Sequence, residues 1–492
     1  MFRSSSLPFN WNKIFVFLGV VIFKIFIDCF LYTNIFKGIQ WTDEPDEIKQ
    51  ISHTTLTSDD IIHVEKFLSD LKKIQINFLL KANNVELTEN HSFFDSVNSY
   101  YYLGEFDWFK YILGFLIFIL SWFIFKENLD SKYGNSRFIL LFQYLVLIIP
   151  FISFHAQNGR SYYEFLSVLA SFFLLCYLVR IGVNVKIPKL NITACYLIIL
   201  IFVGSVIYTL WGLLNTTDGV VLSLNEVYEF RNVNNKHIFP GKSYLLDNVA
   251  YALLPFFMVL SIMWKKWGML VIVFLLQLLI FLLTGYKSFL FIPFTCLGYL
   301  VLRKYLSFRQ TFVYGFLLVV TLLIMLMFLG HPEGYGIASR VFLTPSGLTS
   351  LYFDFVKSNE LALGSGTRFC ELFDCPYNTE IIFLVALYYW GLSFSPNVNW
   401  IASSYANYGL FGLLIFTLMF SCYLKFIDLL FNDSKKYRGY SEALFIGFAV
   451  VICSSSLTVS LVTHGGLLTL ICLYLLYSLQ KNNQFTNPLE TS

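Results

Sequence analysis

The stretch FVYGFLLVVTLLIMLMFL, residues 312–329, carries no charge and runs directly into GHPEGYGIASRVFLTPSG, residues 330–347. A helix rises about 1.5 Å per residue, so the first stretch can cross most of a bilayer's hydrocarbon, which is about 30 Å thick. The second is rich in glycine, proline and serine, and it places Arg340 just beyond the end of the apolar run. A spanning helix followed by a loop that holds a cation at the membrane edge is the pattern, and it recurs along the chain.

Hydrophobic residues make up 57% of the 492 residues and charged ones 13%, and the mean hydropathy is +0.65. A water-soluble fold could not cover that much apolar surface, which predicts an integral membrane protein. Apolar runs of the right length occur at 14–31, 111–125, 138–154, 162–179, 192–213, 249–264, 269–283, 289–302, 312–329, 408–424, 443–454 and 467–479. They lack the alternation of barrel strands, and in lipid a helix satisfies its own backbone. The sequence therefore predicts an all-α polytopic membrane protein with about 12 transmembrane helices.

The first run holds Lys24 and Asp28 and is followed by no small-residue cleavage site, so it is expected to remain as an anchor. The two charges stand one turn apart, where a buried structural pair is the leading reading and a proton relay the other. Placing the N-terminus in the cytoplasm puts more than half of the 34 Lys and Arg on the short loops of that side. Both termini are then cytoplasmic. The chain divides into the N-terminal end with the first helix (1–31), an outside loop (32–110), helices two to five (111–213) and a second outside loop (214–248). Helices six to nine (249–329), a large outside loop (330–407) and helices ten to twelve with a cytoplasmic tail (408–492) complete it.

Within the first outside loop, SDDIIHVEKFLSDLKKIQINFLL opens on Ser58 as an N-cap and repeats Ile61, Val64, Leu68 and Leu71 at helical spacing, predicting a membrane-surface or lid helix. In the third, IIFLVALYYWGL from Ile381 is too short to span comfortably. It reads as an interfacial or re-entrant helix with Tyr388, Tyr389 and Trp390 at the headgroup level. Cys370 and Cys375 lie outside on this topology; an oxidising compartment would favour a short-loop disulfide, and two free thiols are the alternative.

The sequence contains no GxxxxGK[ST], GxSxG, HExxH or CxxC, so nucleotide hydrolysis, serine hydrolysis and zinc chemistry have no foothold, and no metal or cofactor is expected. DEPDE at 43–47 reads as a solvated loop. A net charge of +3 is too small to suggest a nucleic-acid partner. What remains is a set of outside cations next to the membrane: Arg231 in NEVYEFRNV, Lys287 in LLTGYKSFLF and Arg340 in GIASRVF, with Arg160 and Arg368 as weaker candidates. Each has a plainer reading. Lys287 could snorkel at a helix end, Arg340 could pair with Glu333 or a lipid phosphate, and Arg231 with Glu229. Taken together they suit an anionic headgroup on a lipid tail. Arginine's planar fork matches phosphate oxygens, lysine adds a point charge, and a pyrophosphate leaving group needs neutralising as its bond to carbon breaks.

These residues sit in segments that resemble the Wzy family of O-antigen, or oligosaccharide repeat-unit, polymerases. The resemblance is carried by the roughly twelve-helix layout, by VYEFR at 227–231, GYKS at 285–288, ASRVFLTPSGLTSLYFDF at 338–355 and NVNWIASSYANYGLFG at 397–412. It implies a metal-independent glycosyltransferase of the bacterial inner membrane, GT-C-like in fold with long periplasmic loops. Its substrates would be oligosaccharides carried on undecaprenyl pyrophosphate, joined at the periplasmic face, and its expected partners are membrane lipids and a chain-length regulator. Family arginines of the periplasmic loops map onto Arg231 and Arg340. The turn position that is often arginine is Lys287 here, and the arginine-to-glycine spacing of some members is absent after both arginines.

The implied reaction is displacement at the donor's anomeric carbon by an acceptor hydroxyl, with Arg231 and Arg340 stabilising the departing pyrophosphate and Lys287 adding charge. Glu229 is the first choice of base, with His331 and Asp354 behind it. Asn397, Asn399 and Tyr405 could bind sugar hydroxyls, though helix capping explains the asparagines as well. The nearest rival is the O-antigen ligase, of the same architecture. A polysaccharide flippase or transporter would instead place its ionisable groups at midplane and keep its loops short. A non-enzymatic membrane scaffold is the remaining alternative.

Overall fold

The computed structural model of the protein describes residues 11–36, 108–129, 134–158, 161–183, 185–221, 227–234, 239–329, 332–367, 370, 374–391, 395–396, 398–431 and 438–482. The predicted helix at 58–71 and the acidic run at 43–47 lie outside them, as do Arg160, His331, Arg368 and Asn397. All regular structure among the described residues is helical. Eight helices are long and apolar enough to cross a membrane, which makes this a multi-pass membrane protein.

These eight are α2 (Trp108–Leu129), α3 (Ser136–Gln157), α4 (Tyr162–Arg180), α5 (Ile192–Thr216), α7 (Lys242–Met263), α8 (Trp267–Thr284), α10 (Phe308–Phe328) and α13 (Trp400–Leu430). Around them stand α1 (Trp11–Phe36), the short α6 (Val227–Asn234) and α9 (Lys287–Tyr305). Helix α11 covers 332–358, and α12 is Ile381–Trp390. The chain closes with α14 (Arg438–Leu444), α15 (Ile446–Ile452), α16 (Leu457–Val462) and α17 (Gly466–Lys481). The apolar run at 443–454 is thus broken between short helices. The run at 408–424 is preceded by a kink in α13, where Tyr408 leaves helical geometry and Gly409 takes φ 62°.

Helix α3 is the axis of the bundle: 94% of its apolar window is buried, against 28% for α2, α5 and α10. Its sequence carries polar groups that lipid would not tolerate and that find partners only inside. Gln143 accepts from the Trp400 indole at 3.3 Å, and the Tyr144 hydroxyl meets Ser121 at 2.8 Å. The outer helices project leucine and isoleucine outward, Leu200, Ile207 and Leu318 among them, because lipid tails accept these as readily as a protein core does.

Only a few residues separate α2 from α3, α3 from α4, α7 from α8, α8 from α9 and α9 from α10, so neighbours run antiparallel. The ends of α3, α8 and α10 and the starts of α2, α4, α7 and α9 therefore share one end of the bundle, the long-loop face. Lys24 and Asp28 of α1 face each other, as their spacing predicts: Nζ donates to both carboxylate oxygens at 2.7 and 2.8 Å, and the Tyr111 hydroxyl adds a third bond at 3.1 Å. The opposite face holds a second buried charge cluster. Glu442, fully buried, accepts from Arg137 at 2.8 Å, Arg303 at 2.9 Å and Tyr299 at 2.8 Å. Basic residues that orient the chain thus also tie α3, α9 and α14 together, and three donors on one carboxylate offset the cost of burying it.

Helix α12 keeps its expected short length, but its tyrosines do not sit at a headgroup surface. Tyr388 and Tyr389 are buried in a satellite core against α11 and α13, and the Tyr389 hydroxyl donates to the Leu351 carbonyl at 3.3 Å. Aromatic bulk that could have anchored at lipid is used to attach the loop mass to the bundle. Cys370 and Cys375, on the same excursion of the chain, are bonded to each other. Closing so short a loop restrains the unfolded chain by only about 2 kcal/mol. Cys370→Ser is therefore expected to retain nearly full activity and to lower the melting temperature slightly. A non-reduced peptide map showing both thiols alkylated in the native chain would refute the bridge.

Candidate functional site

Helix α8 ends on Gly285, which adopts φ 70° and returns its N–H to Phe281 at 2.7 Å. Only glycine takes that left-handed turn without strain. The turn points the Gly285 carbonyl toward α6, where Arg231 donates to it from Nε at 3.0 Å and from Nη2 at 2.7 Å. The guanidinium also lies over the Tyr286 ring, 4.6 Å from its centroid. Two of the five guanidinium donors are thus committed to fixing the group, and the aromatic face fixes its plane. Lys287 follows as the first residue of α9 and is half-buried.

The same ring of contacts continues into groups that the sequence reading did not select. Tyr286 packs on Phe289, whose ring meets Tyr251 edge-on at 5.2 Å, and the Tyr251 hydroxyl pairs with Ser288 at 2.9 Å. Tyr251 lies in a π-helical turn of α7, Val249–Leu253; the extra residue in that turn rotates the side chains after it relative to those before. Beyond Tyr251, His464 presents its ring edge-on at 6.2 Å, and its Nδ1 meets Asp247 Oδ2 at 2.6 Å. His464 stands in the turn before α17, where Gly465 takes φ 86° against Ala252. Both partners of this His–Asp pair keep about a quarter of their side-chain surface exposed.

Burial pushes the Tyr286 phenol up, the Asp247 carboxylate pushes it further, and Arg231 pulls the other way. Tyr286 therefore stays a neutral hydroxyl donor between a cation and a carboxylate. The arrangement offers a fixed guanidinium, a neutral phenol and a carboxylate-oriented imidazole on one face, which are the parts for neutralising a leaving anion and taking a proton. With the Nδ1 proton held by Asp247, Nε2 carries the free lone pair; this tautomer is assigned from the hydrogen bond.

The other sequence candidates fall elsewhere. The side chain of Glu229 lies outside the described residues. Arg340 is exposed on a π-helical turn of α11, Ser339–Leu343. Helix α6 packs on α8, whereas α11 packs on α3, α10 and α13, so the two arginines come from separate parts of the bundle. Asp354 faces Lys357 one turn on, at 3.4 Å. Asn399 is no sugar ligand: it is fully buried and caps α13 through Ile401 and Ala402, each at 3.1 Å. Its amide also donates to the Pro345 carbonyl at 3.1 Å and to Thr349 at 2.6 Å. All four hydrogen-bonding positions of the amide are used. Tyr405 is likewise buried, stacked on Phe353 at 3.8 Å, with its hydroxyl bonded to Tyr163. Asp247 and His464 were legible only as an acid and an imidazole at the borders of two apolar runs, 217 residues apart.

Comparison with protein-family models, with curated proteins and with solved structures finds no match to this chain.

Proposed function

We propose that this multi-pass membrane protein is a glycosyltransferase that joins oligosaccharide repeat units carried on undecaprenyl pyrophosphate, an O-antigen polymerase of the inner membrane. The observation that carries this reading is the fixed Arg231 guanidinium sharing one face of the bundle with the His464–Asp247 pair. The sequence resemblance over 227–231, 285–288 and 338–355 supplies the substrate class. On this reading the fold is GT-C-like with about twelve spans, and the long-loop face is periplasmic.

The acceptor hydroxyl attacks the anomeric carbon of the donor as the glycosidic bond to pyrophosphate breaks. His464 takes the hydroxyl proton at Nε2 while Asp247 holds the resulting imidazolium. Arg231 and the Tyr286 hydroxyl stabilise the leaving pyrophosphate, and Lys287 and Arg340 add charge at the headgroup level. This assigns the base to His464 in place of Glu229.

The lipopolysaccharide ladder of a deletion strain tests the reading. One repeat unit on the core supports a polymerase. Bare core with accumulated polymer would make the protein a ligase, and bare core without periplasmic repeats a flippase. Orientation is checked by reporter fusions, expected to read periplasmic at residues 70, 230 and 350 and cytoplasmic at 130, 306 and 436. A cytoplasmic signal at 350 would remove Arg340 from the substrate's side and end its role.

A further inference from the structure

Tyr251 reaches both halves of the candidate site. Its ring faces the His464 imidazole edge-on at 6.2 Å, while its hydroxyl pairs at 2.9 Å with Ser288, the residue after Lys287. Pro255 explains how it comes to lie there. Proline has no N–H, so the Tyr251 carbonyl, four residues earlier, cannot receive the ordinary helical hydrogen bond, and α7 widens into the π-helical turn Val249–Leu253. Helix α15 packs directly on that turn. A methyl group on Gly447 would stand 2.9 Å from the Tyr251 carbonyl oxygen and 3.2 Å from its ring, so a glycine there is what lets the two helices approach.

The backbones on either side of Tyr251 are tied by a different group. Gln277, fully buried in α8, donates its amide to the Ala250 carbonyl of the π turn at 3.3 Å and to the Phe289 carbonyl of α9 at 3.2 Å. A polar side chain in a spanning helix is retained where it makes such ties, and this one sets the spacing of α7 and α9. The Tyr251–Ser288 pair is therefore not needed to hold those helices together. What it fixes is the rotation of the Tyr251 ring between Phe289 and His464.

That rotation bears on the imidazole. Asp247 holds His464 at Nδ1 alone, 2.6 Å away. One hydrogen bond fixes a point and leaves the ring free to tilt about it, and the edge of Tyr251 removes that freedom.

We infer that Tyr251 is a positioning residue of the reaction centre: pinned by Ser288, its ring holds the His464 imidazole at a set attitude and distance from the turn that carries Arg231 and Lys287. This role rests on the glycosyltransferase reading of the site and needs no contact of Tyr251 or Ser288 with substrate.

The full chain in liposomes is given undecaprenyl-pyrophosphate-linked repeat units extracted from the deletion strain, and kcat and KM for polymerisation are measured separately. Tyr251→Phe keeps the ring and removes the hydroxyl. It is expected to lower kcat about tenfold with KM little changed, because a displacement of about 1 Å at reacting groups can cost about 100-fold. Ser288→Ala should show the same loss, the double variant no more than either single one, and Ser288→Thr, which keeps a hydroxyl, should restore most of the rate. Tyr144→Phe is the matched control. It removes the 2.8 Å Tyr144–Ser121 pair between α2 and α3, so it should lower the melting temperature at least as much as Tyr251→Phe and leave kcat unchanged. Wild-type kcat in Tyr251→Phe or Ser288→Ala, losses that multiply in the double variant, or an equal loss of kcat in Tyr144→Phe would overturn the role and leave the polymerase reading intact. A wild-type chain that leaves the extracted units unjoined would overturn that reading, and the role with it.

Discussion

On the proposed function, His464→Ala is expected to cut repeat-unit polymerisation by about 100- to 10,000-fold, the range a positioned general base contributes, while the protein still inserts at its normal level. The expectation rests on geometry: Asp247 holds Nδ1 at 2.6 Å, and the ring edge faces Tyr251 in the same cluster that holds Arg231. Structural loss alone would be small. A partly exposed ion pair contributes about 0–1 kcal/mol, too little to change abundance sharply. Asp247→Asn keeps a hydrogen-bond partner but removes the charge that stabilises the imidazolium, so its loss should fall between wild type and His464→Ala. Quantifying chains by gel against immunoblotted protein gives the comparison. An unaltered ladder from His464→Ala would remove the imidazole from the chemistry and return the search for a base to Glu229 or Asp354.

The second large effect is expected from Arg231→Lys. Nε and Nη2 both donate to the Gly285 carbonyl, and the guanidinium plane lies over Tyr286. An ammonium group cannot make the paired contact and the flat stack together, so it cannot be held in the same place. Losing a charge-assisted contact used mainly in the transition state costs about 3 kcal/mol, roughly a hundredfold in rate. Lysine should therefore fail nearly as badly as alanine, with protein level unchanged. Lys287→Arg, by contrast, should be tolerated. Arg340→Lys separates two roles for an exposed arginine: grip on a phosphate demands the fork and fails with lysine, whereas a loop ion pair accepts lysine. A full-length ladder from Arg231→Lys would leave that guanidinium as a clamp between α6 and α8 and nothing more.

Much of the architecture was readable because lipid imposes a simple rule. A run such as 192–213 must be helical in hydrocarbon, and α5 occupies Ile192–Thr216. The Lys24–Asp28 pair followed from one helical period. Cys370 and Cys375 are bonded, one of the two alternatives their spacing left open. Asn399 was ambiguous by chemistry: an amide that could bind sugar is the same amide that caps a helix, and only burial separates the two. Tyr388 and Tyr389 misled for a similar reason, since aromatic residues in a short apolar segment suit an interface and a satellite core equally well.

What the sequence determined by itself is therefore local: helix positions, a helical-turn ion pair, and the cation in the TGYKS turn. What only the tertiary structure decided is which distant groups meet. Asp247 and His464 are 217 residues apart, and Glu442 gathers Arg137 and Arg303 from 305 and 139 residues away. No periodicity or spacing encodes such pairs. They arise because a central helix, α3, must be surrounded on all sides, and closing that ring in a limited perimeter brings the start of α7 and the start of α17 side by side at one end of the bundle.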